Sequence, residues 1–413
     1  MPPNLEQSRL DGGAGANGPV QQDCRAQPVP EGPEPNRRGQ DEMCTSLSYR
    51  DAQGKAYFGR TLELTIDLPY QIVYFPVGFP TRSEVEGHPA AEFRARHAML
   101  TVTMPCRVPT PEAPIGIDDL KVLEGLNDQG LSFSLLSYPT AAGKQRSVAM
   151  TQAVLSASDL GTWCLGQFAT VAQVKAALDA QPIVLVPLAI LGGIESPFHY
   201  VVHDATGAAL VIEFDHGEMS VHDNPVGVMT NGPNFAWHLT NLDNYTFLSN
   251  VDRSSASFGG YKAVQPDSGI ATAGLPASNT SVGRFVRAAY YAQFTEKAAT
   301  PDLAMRTLAH ILNNFDRPRG VSIDYPAQGG SHMEVAGLDQ PASEPYATEF
   351  TSWTSLSDLD RKLFFVRDYK SLNFTRFDLA ALVDVAEPKV LPVDRLDGEA
   401  SDATAALIGA KAA

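Results

Sequence analysis

The chain is 413 residues long, 44% hydrophobic and 19% charged, which supplies a sizeable core for one large domain or two ordinary ones. A net charge of −16 argues against a nucleic-acid binder, which needs clustered Lys and Arg to displace counterions, and against docking on an anionic membrane surface. No apolar run reaches about 18 residues, so no membrane span is expected.

Residues 1–43 are rich in Pro, Gly, Gln and charge, as in the run from Pro28 to Pro35. Such a segment buries too little apolar surface to offset chain entropy, so disorder is expected there. It also lacks the apolar region of a signal peptide, so the expected location is cytoplasmic, or periplasmic or secreted if the true start differs.

From Cys44 onward the pattern changes. Cys44 to Tyr49 predicts a strand, Asp51 to Gly54 a turn and Ala56 to Ile66 a second strand, together a hairpin. Further strands are predicted at Gln71 to Phe75, His97 to Met104 and Leu131 to Leu136, the last following the turn Asn127 to Gly130. A helix is expected from about Met150 to Cys164. A better signalled one spans Thr170 to Leu178, with Thr170 as N-cap and Val171, Val174, Ala177 and Leu178 on one face. Strands follow at Ile183 to Val186, His199 to His203, Ala208 to Phe214 and Met219 to His222. A helical pair covers Val282 to Phe294 and Pro301 to Asn314, and Lys362 to Val366 is again a strand. With no linker inside 44–395, a single α+β domain is expected, with a weakly structured tail at 396–413.

Four widely spaced cysteines, Cys24, Cys44, Cys106 and Cys164, make neither a disulfide framework nor a zinc motif. Cys106 and Cys164 are expected as small buried hydrophobes. Cys44 differs, because Met43-Cys44 sits where order begins. A thiol attacks only as thiolate, and a free cysteine is mostly protonated at neutral pH. An N-terminal cysteine supplies its own base: its α-amine accepts the thiol proton and later returns it to the leaving amine. That chemistry requires nothing upstream of Cys44, either because translation starts at Met43, which is then trimmed, or because residues 1–43 are a removed propeptide.

Several segments resemble the choloylglycine hydrolase and penicillin V acylase family. Cys44-Thr45 is followed sixteen residues on by Arg60 and then by Glu63, at the family's Arg and Asp positions. The run from Asn224 to Leu242 is similar to its GVLTNxPxFxxHxxNL segment, Ser281 to Phe285 to its SRF helix start, and His199 to Glu213 to its central hairpin. The likeness extends over roughly 44–370. It implies an N-terminal-nucleophile hydrolase fold, a four-layer αββα sandwich with two antiparallel sheets between helix layers. It also implies hydrolysis of linear amides through a thioester on Cys44, with no cofactor and no metal, and a homotetramer.

Within that resemblance, Arg60 favours the thiolate and orients the N-terminus. Asn231 offers an amide donor to the oxyanion, a contribution worth about 3 kcal/mol, and Arg284 braces the site electrostatically. Two positions depart from the pattern. Glu63 replaces an Asp, and Ser137 stands where bile-salt hydrolases carry Asn and penicillin V acylases Tyr. Ser137, Leu62, Phe133 and Leu135, with Phe75 and Phe79, are candidates for the substrate pocket. The expected substrate is a small N-acyl amide: bile-salt-like, penicillin V-like or fatty-acyl, including acyl homoserine lactones. The alternative is a catalytically impaired relative that binds an acylated ligand. His199 and His203 lie four apart, but with no third ligand they are expected as satisfied sheet histidines rather than a metal pair.

Overall fold

A computed structural model describes residues 43–325, 346–396 and 402–411. The disorder expected before Met43 lies outside the described residues. Two antiparallel sheets form the centre. The smaller has six strands in the order Val228–Met229, Met43–Arg50, Ala56–Leu64, Phe350–Asp358, Leu363–Asp368 and Thr375–Asp378. The larger has eight: Glu218–Asp223, Ala209–Asp215, Phe198–His203, Ser132–Ser137, Leu120–Asn127, Met99–Pro105, Gln71–Phe75 and Lys389–Pro392.

The predicted hairpin opens the smaller sheet. Asp51 Oδ1 accepts from the backbone N–H groups of Gln53 and Lys55, and Gly54 takes φ 79°, which closes the turn. All nine residues of Ala56–Leu64 are buried, as befits a central strand covered on both faces. On the outer face, helix Pro301–Leu312 approaches so closely that a Cβ on Gly59 would lie 2.6 Å from Leu312 Cδ1. Helix Ser281–Phe294 packs on Met43–Arg50, and helix Leu160–Gln167 covers strands Leu120–Asn127 and Ser132–Ser137 of the other sheet. The result is the expected four-layer sandwich. Among the described residues no helix is long and apolar enough to cross a membrane.

Three expectations change. The helix placed at Met150 to Cys164 begins only at Leu160, after a 3-10 turn at Ala157–Asp159. Leu155–Ser156 is instead held as a short strand beside Ile183–Val184, and Ser156 N donates to Ser83 Oγ at 2.9 Å. The tail expected to be weakly structured contains helix Thr404–Ile408, with Leu407 buried. Cys106 is disulfide-bonded rather than a plain buried thiol, whereas Cys164 is buried as a free thiol.

Candidate active site

The hairpin register pairs Cys44 with Leu62 and Ser46 with Arg60, so Cys44 and Arg60 are diagonal neighbours on one face. That face looks into the space between the sheets. Arg60, fully buried, donates through Nη2 to Cys44 Sγ at 3.0 Å and through Nη1 to the Leu123 carbonyl of the opposite sheet at 3.0 Å. Its guanidinium also sits over the Trp353 ring, 4.9 Å from the centroid, and 3.9 Å from Glu124 Oε2. Glu124 in turn accepts a short hydrogen bond from Ser134 Oγ. Burial pushes the Glu124 carboxyl up to about 8, against the opposing pull of Arg60 and Ser134.

The backbone of Cys44 is held from the other side. Its N–H donates to Asn231 Oδ1 at 3.0 Å, and its carbonyl accepts a short hydrogen bond from Arg284 Nη1. Arg284 also donates to Thr45 Oγ1 at 2.8 Å and to Asn231 Oδ1 at 2.7 Å. Asn231 Nδ2 donates to the Ser137 carbonyl at 2.9 Å. Two donors therefore face Oδ1 and an acceptor faces Nδ2, which fixes the amide orientation and leaves Nδ2 one further hydrogen to offer. Burial pulls Arg284 down to about 10, with Glu63 and then Cys44 opposing it.

Strand alternation places Glu63 on the opposite, helix-facing side, across from Met43. Its Oε1 accepts from Thr351 Oγ1 at 3.0 Å, while Oε2 is buried without a hydrogen-bond partner among the described residues. Burial raises this carboxyl, and Arg284 is the strongest counter-influence. Glu63 thus lies beside the start of the strand, and on the other face from the Arg60-bound thiol.

Of the pocket candidates, Leu62 shares the face of Cys44, and Ser137 meets Asn231 through its carbonyl. Phe133 and Leu135 point the other way. A Cβ on Gly161 of helix Leu160–Gln167 would lie 2.8 Å from the Phe133 ring, so Phe133 is packed beneath that helix, away from the thiol. Leu135, two residues on, shares its face. Phe75 and Phe79 pack on each other with centroids 4.9 Å apart. His199 is engaged by Glu213 and the Thr230 carbonyl. Glu124, Ser134, Trp353 and Thr45 do not stand out in the sequence. A glutamate inside the apolar run Lys121 to Leu126 is the available signal, because such a carboxylate is rarely buried without a partner.

The family model for linear amide C-N hydrolases, choloylglycine hydrolase family, matches residues 44–330. The chain belongs to this family. A bile salt hydrolase/transferase of Clostridium perfringens is 24% identical over 337 residues, covering 82% of this chain and 92% of that protein. A conjugated bile acid hydrolase of Lactobacillus acidophilus is 30% identical over 253 residues, 60% of this chain and 74% of the relative. Two solved structures share the fold. A mutant conjugated bile acid hydrolase from Clostridium perfringens has a TM-score of 0.68 at 23% identity, covering 84% of this chain and 96% of its own. Penicillin V acylase from Agrobacterium tumefaciens has a TM-score of 0.61 at 19% identity, covering 84% and 91%. Membership makes the chain a linear amide C–N hydrolase, and the match begins at Cys44.

Proposed function

We propose that the protein hydrolyses a small N-acyl amide with Cys44 as an N-terminal nucleophile. One observation carries this reading: a single residue offers a thiol bound by a buried cation and a backbone nitrogen bound by a buried amide. Once Met43 is gone, that nitrogen is a free amine beside the thiol it must deprotonate. Glu63 then holds the resulting ammonium, a role supported by its register across from Met43 and by an Oε2 with no hydrogen-bond partner among the described residues.

The α-amine takes the thiol proton, and the thiolate stabilised by Arg60 attacks the acyl carbon. Negative charge moves to the acyl oxygen, where the spare N–H of Asn231 stabilises it. The C–N bond then breaks as the ammonium returns its proton to the leaving amine, and a thioester remains on Cys44. Water, losing a proton to the α-amine, adds to the thioester; the acid departs and the thiol is restored. Arg284 keeps Asn231 and the Cys44 carbonyl in register throughout.

The relatives point to conjugated bile acids and penicillin V as the first substrates to try, followed by fatty-acyl amides. Two measurements test the reading together: amine release from that panel, and the intact mass of the active protein. Turnover by protein with residues 1–43 still attached would overturn the N-terminal mechanism.

A further inference from the structure

The loop that carries Asn231 is secured by a cluster of buried groups that the steps above do not use. His199, on strand Phe198–His203, is fully buried. Its Nε2 faces the Thr230 carbonyl at 2.9 Å, so that nitrogen carries a hydrogen. Its Nδ1 faces Glu213 Oε2 at 3.2 Å, and Glu213 also accepts from Phe235 N, the first residue of helix Phe235–Leu242. The His199 ring stacks on Tyr138, with centroids 5.0 Å apart and planes 7° from parallel.

Thr230 immediately precedes Asn231, and Tyr138 immediately follows Ser137. The imidazole therefore grips the neighbours of both residues joined by the Asn231–Ser137 hydrogen bond. A second imidazole completes the hold. His238 Nε2 lies 2.8 Å from the Asn231 carbonyl, and burial pushes this histidine down to about 4, so it is neutral and its hydrogen sits on Nε2. Two successive carbonyls are thus each fixed by a ring N–H, which prevents the peptide planes around Asn231 from rocking.

We propose that His199 is a positioning residue for the Cys44 site: by holding the Thr230 carbonyl and the Tyr138 ring, it sets Asn231 against the Cys44 nitrogen and the Ser137 carbonyl. The inference rests on the reading of Cys44 as nucleophile and adds to it the part of the protein that keeps the oxyanion donor in place. Displacing such a donor by about an ångström can cost up to about 100-fold in rate with little change in ground-state binding.

The test uses the full chain as expressed, in His199→Ala, His199→Gln, Asn231→Ala and the double variant His199→Ala/Asn231→Ala. His199→Ala should lower kcat about 10- to 100-fold with KM changed less than about threefold. His199→Gln, whose amide N–H can reach the Thr230 carbonyl, should recover most of that loss. In the Asn231→Ala background His199→Ala should cost almost nothing further in kcat, while its effect on thermal stability persists. Equal fold-losses of kcat in both backgrounds would overturn the proposal, because His199 would then act independently of Asn231. If His199→Ala does not fold, His199→Phe takes its place, since it keeps a ring against Tyr138 but has no donor for the Thr230 carbonyl; an unchanged kcat and an unshifted Asn231 side-chain amide resonance in that variant would overturn the proposal as well. Retention of amidase activity by Cys44→Ala would instead sink the nucleophile reading. The proposal is then decided by the Asn231 resonance alone, which must move in the variant lacking the ring donor and hold in the Gln variant.

Discussion

The two faces of strand Ala56–Leu64 bury opposite charges and treat them differently. On the inner face Arg60 is saturated: a thiol, a carbonyl of the facing sheet, an aromatic ring and the nearby Glu124 surround it. On the outer face Glu63 has one hydroxyl on Oε1, and its Oε2 has no hydrogen-bond partner among the described residues. Burying an ion costs several kcal/mol unless its partners are in place, so a saturated cation is a finished structure and a half-satisfied carboxylate is not. On the proposed mechanism this division is functional. The thiol is served from the inner face by a cation held on several sides, and the amine from the outer face by a carboxylate whose Oε2 has no hydrogen-bond partner among the described residues.

The largest effects should come from the residue that spans both faces. Cys44→Ala should abolish turnover and Cys44→Ser nearly so, whereas Cys164→Ala should keep most of it, because burial pushes the Cys164 thiol far up and keeps it protonated. A thiol reagent that inactivates the enzyme while labelling Cys164 would break the assignment. Next comes Arg60→Met, which keeps the aliphatic stem but removes the donor to the Cys44 thiol and to the Leu123 carbonyl. Activity should fall about 100-fold or more, and stability should drop by about 1–3 kcal/mol because the buried Leu123 carbonyl loses its donor. Turnover assays and urea unfolding separate the two losses; a stable, active variant would remove Arg60 from the mechanism.

On the outer face, Glu63→Gln should cost more than about tenfold in kcat, over ~1.4 kcal/mol of transition-state stabilisation, since an amide cannot hold an ammonium as a carboxylate does. Glu63→Asp should be impaired too, despite matching the family's residue, because Thr351 meets the longer side chain here. Wild-type kcat in Glu63→Gln at saturating substrate would make the outer face a bystander and leave the inner one to act alone.

The family resemblance names the inner pair, and the predicted hairpin shows why two residues sixteen apart can meet. A turn at Asp51 to Gly54 fixes the hairpin register, and register brings Arg60 diagonal to Cys44. Asn231 and Arg284 lie 187 and 240 residues from Cys44 along the chain, and only the family resemblance points to them. Pleating predicts that Phe133 and Leu135 share a face opposite Ser132 and Ser134, but not which face meets the thiol. Hydrophobicity points to the wrong one, because the space between the sheets here holds the Arg60 and Glu124 side chains and accepts the serines. Glu124 is hidden for a related reason: its partners come from another sheet, and inter-sheet contacts are set by packing rather than by spacing.

Glu124 also provides the smallest and most specific effect. Below its ordinary value of 4.5 the carboxyl is protonated in folded and unfolded chains alike and contributes no pH dependence. Between 4.5 and about 8 the unfolded chain releases this proton while the folded one retains it, so the unfolded state binds fewer protons and stability falls as pH rises. Above about 8 both forms are ionised and the penalty levels off. The slope can reach about 1.4 kcal/mol per pH unit within the window. Glu124→Gln keeps the shape but has nothing to titrate. Its stability relative to wild type should therefore improve steadily from about pH 5 to about pH 8 and then stay level, as read from urea unfolding at a series of pH values. A difference that stays flat across that window would mean Glu124 is ionised throughout. Arg60 would then be shared between two anions, and the contrast between a saturated inner face and an open outer one would have to be redrawn around a cation only partly available to the thiol.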